Sequence, residues 1–145
     1  MRVSRLYLHP VKSLGGIAVP QFAVDRFGPF MDRRWLVVDA RGQFLTQRQH
    51  ARMALVRTAL EQDRVTLSLE GQAPIQFSPQ DFTGADIDVQ VWRDRCVART
   101  GPAEVDQWLR QAPGVECRLV FMPDSTRRAV NTDYARNGET VSFAD

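Results

Sequence analysis

Strict two-residue alternation sets the limits on this chain. In DIDVQVW (86–92), Ile87, Val89 and Val91 share one face, with Asp86, Asp88 and Gln90 opposite. VTLSL (65–69) repeats the pattern with Val65, Leu67 and Leu69. Successive side chains of an extended strand point to opposite faces, so both segments read as strands with one face buried. RVSRLYL, QFAVD, RWLVVD, QFLTQ and CRLVFM are further strand candidates. The joints carry turn chemistry: DARG (39–42) links RWLVV to QFLT, with Gly42 able to supply positive φ, and EGQAP (70–74) links two more strand-like pieces.

One segment changes period. In GPAEVDQWLRQAPG (101–114), Val105, Trp108, Leu109 and Ala112 recur at i, i+3, i+4 and i+7. Pro102 suits the first helical position, Glu104 the positive end of the helix dipole, and Pro113-Gly114 the stop, which predicts a helix at about residues 102–112. ARMALVRTAL (51–60) reads as a short helical turn near 50–55 leading into a strand. Many short strands and few helices, with no internal repeat or low-complexity linker, predict one mainly β domain over residues 1–145: an antiparallel β-barrel with one packed α-helix. A sandwich is the other all-β solution. The closing GETVSFAD reads as a strand-like piece, and the expectation is that the chain is cut from something longer.

Composition removes several classes of function. Of 145 residues, 43% are hydrophobic and 25% charged, an ordinary globular mixture with enough apolar material for a real core. A net charge of +2 and a pI near 8.8 are too mildly basic to imply nucleic acid. No run of 18 apolar residues could span a bilayer, and MRVSRLYLHP lacks the apolar centre of a secretory signal, so a cytoplasmic setting without membrane contact is expected. Cys96 and Cys117 lie far apart, and with only His9 and His50 there is no zinc or iron spacing. Cys96 reads as a strand cysteine and Cys117 as core, His9 as a strand residue and His50 as a surface-loop residue. No Ser/His/Asp, Cys/His or paired-carboxylate arrangement stands out, so no catalytic residue is assigned.

Three polar stretches interrupt the apolar pattern. HPVKSLGGIAV (9–19) places Lys12 and Ser13 beside Gly15 and Gly16; an ammonium, a hydroxyl and approachable backbone suit a phosphate, and the same residues also suit a plain turn. In FMDRRWLVVD (30–39), an alternating strand would send Arg33 and Arg34 to opposite faces, one to solvent and one to a pocket, or Arg33 simply pairs with Asp32. GQFLTQRQHARMAL (42–55) sets Thr46, Gln47, Arg48 and Gln49 directly after an apolar strand, as ligand contacts or as a polar loop with Thr46 as a cap. TRRAVNTDYARNG (126–138) reads as a long polar loop in which Arg127 and Arg128 are solvated, with an anion contact by the pair as the weaker alternative.

LYLHPVKSLGGIAV, then DRRWLVVDARGQFLTQRQHARMALV, then VWRDRCVA, VDQWL, CRLVFMPDSTRRAV and VSFAD, in this order, resemble the N-terminal β-barrel domain of MOSC-domain proteins. That family includes the mitochondrial amidoxime-reducing component and its bacterial relatives. The resemblance implies binding of a molybdenum cofactor, a pterin carrying a phosphate, between this barrel and a following MOSC domain. It implies reduction of small N-hydroxylated substrates with electrons from a redox partner protein. Carried over position by position, Lys12 and Ser13 would hold the phosphate and pterin, Arg33 would be another contact, and Thr46, Arg48 and Gln49 would match the family's T-x-R-Q segment. The molybdenum-ligating cysteine belongs to the following domain, and neither Cys96 nor Cys117 matches it. The expectation is half a cofactor site, no metal ligand and no reductase activity from residues 1–145 alone. Without the resemblance, the residues also fit a stand-alone binding barrel. More weakly, they fit an OB-like nucleic-acid barrel using Trp35, Trp92 and Trp108, although no basic-aromatic stripe is evident.

Overall fold

The computed structural model of the chain describes residues 1–129, 133 and 136–144. Its described residues are mainly β with one α-helix, as the alternation predicts. β1 (Leu6–Leu8) and β2 (Ile17–Val19) pair antiparallel around the 9–16 loop, and β3 (Val24–Asp25) and β4 (Gly28–Pro29) form a second small pair. β5 (Trp35–Val38) belongs to the main sheet. β6 (Arg57–Glu61), β7 (Arg64–Leu69) and β8 (Gln72–Phe77) form a separate antiparallel sheet, with Gly71 at φ 88° in the β7–β8 turn. β9 (Asp86–Val91), β10 (Asp94–Thr100) and β11 (Arg118–Phe121) complete the main sheet in the order β5-β11-β10-β9, all antiparallel.

The main sheet curls until its edge strands share a neighbour. Residues 42–45 lie between β5 and β9: Leu45 N donates to Val37 O at 2.9 Å, Phe44 N to Gln90 O at 3.1 Å, and Gln90 N to Gly42 O at 2.8 Å. Gly42 makes this possible, because it sits at φ +78° and a Cβ there would lie 2.5 Å from Asp88 O.

The apolar run WLVV follows from this arrangement. Trp35 and Val37 face a core shared with Val65, Leu67 and Phe77, while Leu36 and Val38 face the inside of the curled sheet with Val91, Val120 and Phe143. A strand buried on both faces reads as continuous rather than alternating hydrophobicity.

α1 spans Ala103–Leu109, shorter than the 102–112 expected. Pro102 is its N-cap rather than its first residue, and after Leu109 the chain loosens into turns, with Ala112 N bonding Leu109 O and Gly114 N bonding Arg110 O. The helix packs on β11 and β8. Val105, Leu109 and Ala112 are buried, and Trp108 completes the apolar face while donating Nε1–H to Ala73 O at 2.7 Å. The turn expected near 50–55 is a 3₁₀ helix over Ala51–Leu55.

Four local expectations are corrected. Arg33 and Arg34 precede β5 instead of alternating within it; Arg33 has φ 46°, a left-handed turn conformation. QFLTQ makes only isolated bridges at Gln43 and Phe44, since one short segment serves two neighbours. Arg128 is 6% exposed rather than solvated, because its guanidinium reaches Asp94 Oδ2 at 3.0 Å and Ser142 O at 2.8 Å. Residues 130–132, 134 and 135 of that stretch lie outside the described residues. The closing segment joins the fold by a bridge between Ala129 and Thr140, not as a strand. No helix among the described residues is long and apolar enough to cross a membrane.

Candidate functional site

The loop after β1, the turn before β5, the turn after the 42–45 segment and the β9–β10 turn meet at one end of the curled sheet. They enclose a pocket of about 260 Å³. Lys12, Ser13, Arg33, Thr46 and Arg48, the five candidate residues, all line it. Gln49 does not.

The sign of this pocket distinguishes it. Three cationic side chains line it and no carboxylate does. Four larger hollows, of about 510 to 830 Å³, each carry at least one Asp or Glu beside their arginines. A concavity lined by cationic side chains and no carboxylate favours an anion.

Each cation is held differently. Lys12 is 5% exposed, and its Nζ lies 6.0 Å from the centroid of the Phe44 ring. Its position is set by backbone pairing, Lys12 N donating to Trp35 O at 3.0 Å. Arg33 Nη1 contacts Asp32 Oδ2 at 2.5 Å, and the buried Asp32 also accepts His9 N at 2.8 Å. The ion pair with Asp32 therefore exists, yet 32% of the Arg33 side chain stays exposed at the pocket. Arg48 is exposed, its Cζ 5.9 Å from the Trp92 ring centroid. Trp92 in turn meets Phe44 edge-on, with centroids 4.9 Å apart.

Two features tighten the site. Gln47 Nε2 donates to Ser13 O at 2.9 Å and ties two loops that are 34 residues apart. Ser13 (φ 70°), Arg33 (φ 46°) and Trp92 (φ 55°) all have left-handed backbones, three of the five such non-glycine residues among those described. Each costs about 1–3 kcal/mol, which the surrounding structure must offset.

The role read into the glycines changes. A Cβ on Gly15 would lie 2.7 Å from Val56 O, and one on Gly16 would strike the His9 ring at 2.5 Å. The space is taken by the protein itself, not reserved for a ligand. The amides of Lys12, Leu14 and Gly15 are likewise spent on Trp35, Val11 and Val56 carbonyls. An anion here meets side chains more than a backbone cradle.

Spacing alone missed His9 and Phe44, both pocket-lining, and assigned Trp92 no role here, while Gln47 of the 46–49 polar set lines the pocket too. His9 directly follows β1, and its Nδ1 lies 3.5 Å from Leu14 O. Cys96 and Cys117 are buried thiols, each pushed up to about 11 chiefly by burial. Among the described residues no group of three His, Cys, Asp or Glu side chains is placed to hold a metal ion.

Residues 1–115 match the family described as the MOSC N-terminal beta barrel domain. The human molybdenum cofactor sulfurase is 25% identical over 140 residues, covering 93% of this chain and 16% of that protein. The Arabidopsis thaliana molybdenum cofactor sulfurase is 24% identical over 83% of this chain. The mouse mitochondrial amidoxime-reducing component 1 is 36% identical over 70 residues, 46% of this chain and 21% of that protein. The chain thus spans only about a sixth of the sulfurases it matches. A Bordetella bronchiseptica protein solved in solution shares the fold, with a TM-score of 0.54 and 21% identity over 70% of this chain and 86% of that one. With the family match running through most of the curled sheet and the whole pocket, the chain belongs to the MOSC N-terminal beta barrel domain family.

Proposed function

We propose that this domain supplies the cationic face of a molybdenum-cofactor site in an oxidoreductase that reduces N-hydroxylated compounds. One observation carries the reading: Lys12, Ser13, Arg33, Thr46 and Arg48 converge on a pocket that no carboxylate lines. The donor set fits a phosphate, because hydrogen bonds from charged donors are roughly twice as strong as neutral ones. Phe44 and Trp92 add an apolar wall that suits the ring to which such a phosphate is attached. The name of one relative, a molybdenum cofactor sulfurase, supports that cofactor, and that of another, an amidoxime-reducing component, supports a reduction.

The cofactor, when bound, supplies the electron-transfer chemistry. This chain's residues hold its phosphate, orient it through the Asp32–Arg33 and Gln47–Ser13 contacts, and shield one side from water. Cys96 and Cys117 are buried and neither lines the pocket, which favours a metal thiolate supplied by a following MOSC domain of the full-length protein and no turnover by residues 1–145 alone. Electrons come from a redox partner protein in the cytoplasm. A second reading keeps the same pocket and makes the domain part of a sulfurase. It is favoured by sulfurase alignments covering 83–93% of the chain.

The test is calorimetric titration of residues 1–145 with inorganic phosphate and with the metal-free pterin phosphate. Saturable binding of phosphate near millimolar, about 4 kcal/mol, is expected. The Lys12→Gln/Arg33→Gln double variant should lose it. Indistinguishable titrations of the two proteins would refute the site. Reduction of an N-hydroxylated compound by the full-length protein separates the oxidoreductase reading from the sulfurase one.

A further inference from the structure

A second hollow, of about 510 Å³, has the opposite balance of charge from the anion pocket. It lies between the Phe30–Arg34 turn, the β6–β7 turn, the 3₁₀ turn at Pro79–Asp81 and the 121–125 segment. Its apolar lining is Met31, Phe121, Pro79, Pro123 and Phe30; Met31 and Phe121 are buried, and Phe30 is 44% exposed. Four charged side chains complete it: Arg34, Arg99, Asp63 and Asp124. The two guanidiniums are already paired. Arg34 Nη2 meets Asp124 Oδ1 at 2.9 Å, with Asp25 Oδ2 3.9 Å from Nη1, and Arg99 Nε meets Asp86 Oδ1 at 2.8 Å. Asp63 has no cationic partner among the described residues: Gln80 Nε2 donates to its Oδ2 at 3.2 Å, and nothing described bonds its Oδ1. With these partners included, the carboxylates of Asp25, Asp63, Asp86 and Asp124 face two guanidiniums around an apolar floor.

Backbone strain marks the same place. Met31 at φ 68° and Gln62 at φ 57° are the two left-handed non-glycine residues, among those described, that do not line the anion pocket. Met31 lines this hollow, and Gln62 directly precedes Asp63 in the β6–β7 turn. Each such residue costs about 1–3 kcal/mol, and such residues gather at ligand sites.

We infer that this hollow binds a small organic cation: a primary ammonium carried on a compact apolar body. The body covers Met31, Pro79 and Pro123, and the ammonium reaches Asp63 Oδ1 beside the Phe30 ring. An ammonium on a carboxylate gains a charge-assisted hydrogen bond, and the aromatic face adds a cation–π contribution. An anion of the same shape would meet the excess of carboxylates. The volume suits such a ligand, since small-molecule sites run from about 300 to 1,000 Å³. This site is independent of the anion pocket and of any cofactor bound there.

Benzylamine, benzyl alcohol and benzoate are close in shape and differ in charge: cationic, neutral and anionic at pH 7. Each is titrated into isotope-labelled residues 1–145, with the backbone amide resonances as the readout. Benzylamine should saturate in the millimolar range, about tenfold tighter than benzyl alcohol, the scale of one hydrogen bond to a charged group. Benzoate should bind weakest. The shifts should gather at Met31, Asp63 and Ser125 and leave Ser13 and Thr46 of the anion pocket in place. Asp63→Asn keeps a residue that suits a turn, so it should stay folded, as its thermal midpoint will show. It should bring benzylamine down to the affinity of benzyl alcohol and leave benzyl alcohol unchanged. Phe30→Leu, at an exposed position, should keep the apolar contact and weaken benzylamine more than benzyl alcohol. Inorganic phosphate should bind both variants as it binds the parent chain. Equal binding of the three probes, or tightest binding of benzoate, overturns the cation assignment. Shifts away from the hollow, or no saturation by benzylamine, overturn the site itself, while phosphate titration tests the anion pocket separately.

Discussion

Phe143 N donates to the carbonyl oxygen of Arg33 at 2.9 Å, so the end of the described chain braces a pocket residue 110 positions earlier. The Phe143 side chain is fully buried inside the curled sheet, and Ser142 N bonds Phe27 O at 3.4 Å beside it. Phe143→Ala removes that anchor. It should cost about 3–5 kcal/mol in urea unfolding, the usual price of emptying a buried phenyl site. Phosphate affinity measured on the remaining folded protein should also fall, because Arg33 loses its brace. A stability change below about 1 kcal/mol would show that the segment merely rests on the sheet.

Arg33 and Arg34 are neighbours with different work. Arg34 is 5% exposed, stacked between Phe27 at 4.3 Å and Phe121 at 4.9 Å, and its Nη2 donates to Met122 O and Asp124 Oδ1 at 2.7 and 2.9 Å. Arg34→Lys loses the planar fork and both stacks, and should cost about 2 kcal/mol with phosphate affinity unchanged. Arg33→Lys keeps a cation beside Asp32. It should leave stability within about 1 kcal/mol and weaken phosphate severalfold, since an ammonium cannot bind an anion bidentately. Chemical denaturation and phosphate titration of the two variants check both halves; matching profiles would show that the division of labour is wrong.

What was readable in the sequence was local. The alternation of Ile87, Val89 and Val91, the turn glycines at 42 and 71, and the apolar stripe of α1 each need only a few consecutive residues to declare themselves. The candidate site residues came from a family resemblance, and the structure gathers all five around one pocket. Trp92 entered by tertiary position: the β9–β10 turn reaches the pocket only because the 42–45 segment bridges β5 to β9. The left-handed backbones of Ser13, Arg33 and Trp92 left no trace, since none is a residue type that advertises positive φ. Gly15 and Gly16 were read correctly as places of close approach, but what approaches is Val56 and His9. WLVV could not reveal that its two faces serve two cores, because a doubly buried strand has no period to read.

Gln47 offers a clean test of loop coupling. Its side chain is exposed and its Nε2–Ser13 O bond is the contact that joins the 12–14 and 46–48 turns. Gln47→Ala should alter stability by no more than about 0.5 kcal/mol, as exposed substitutions usually do. It should still raise the phosphate dissociation constant up to about fivefold, the equivalent of one net hydrogen bond. Unchanged affinity would mean that the two turns are positioned independently.

The cysteines carry a prediction about pH. Burial is the main reason the Cys96 thiol is pushed up to about 11; the nearby Arg128 opposes it, and Asp94 and Asp88 add to it. Burial again leads for Cys117, also at about 11, with the Asp106 carboxylate adding to it. Both thiols are therefore protonated near neutral pH, and a protonated thiol is a poor nucleophile. A group whose folded pKa lies above its unfolded value holds its proton more tightly in the folded chain. Its contribution to stability is complete below the ordinary thiol value of 9.0 and is lost as pH rises from there toward about 11. Urea midpoints should accordingly decline across that window. Cys96→Ala/Cys117→Ala should flatten the decline while leaving phosphate affinity at pH 7 unchanged. Iodoacetamide at pH 8 should label the unfolded chain at both positions and the folded chain at neither. Rapid labelling of Cys96 in the folded protein would show an accessible thiolate beside β10 and would reopen this chain as a source of the metal's sulfur ligand.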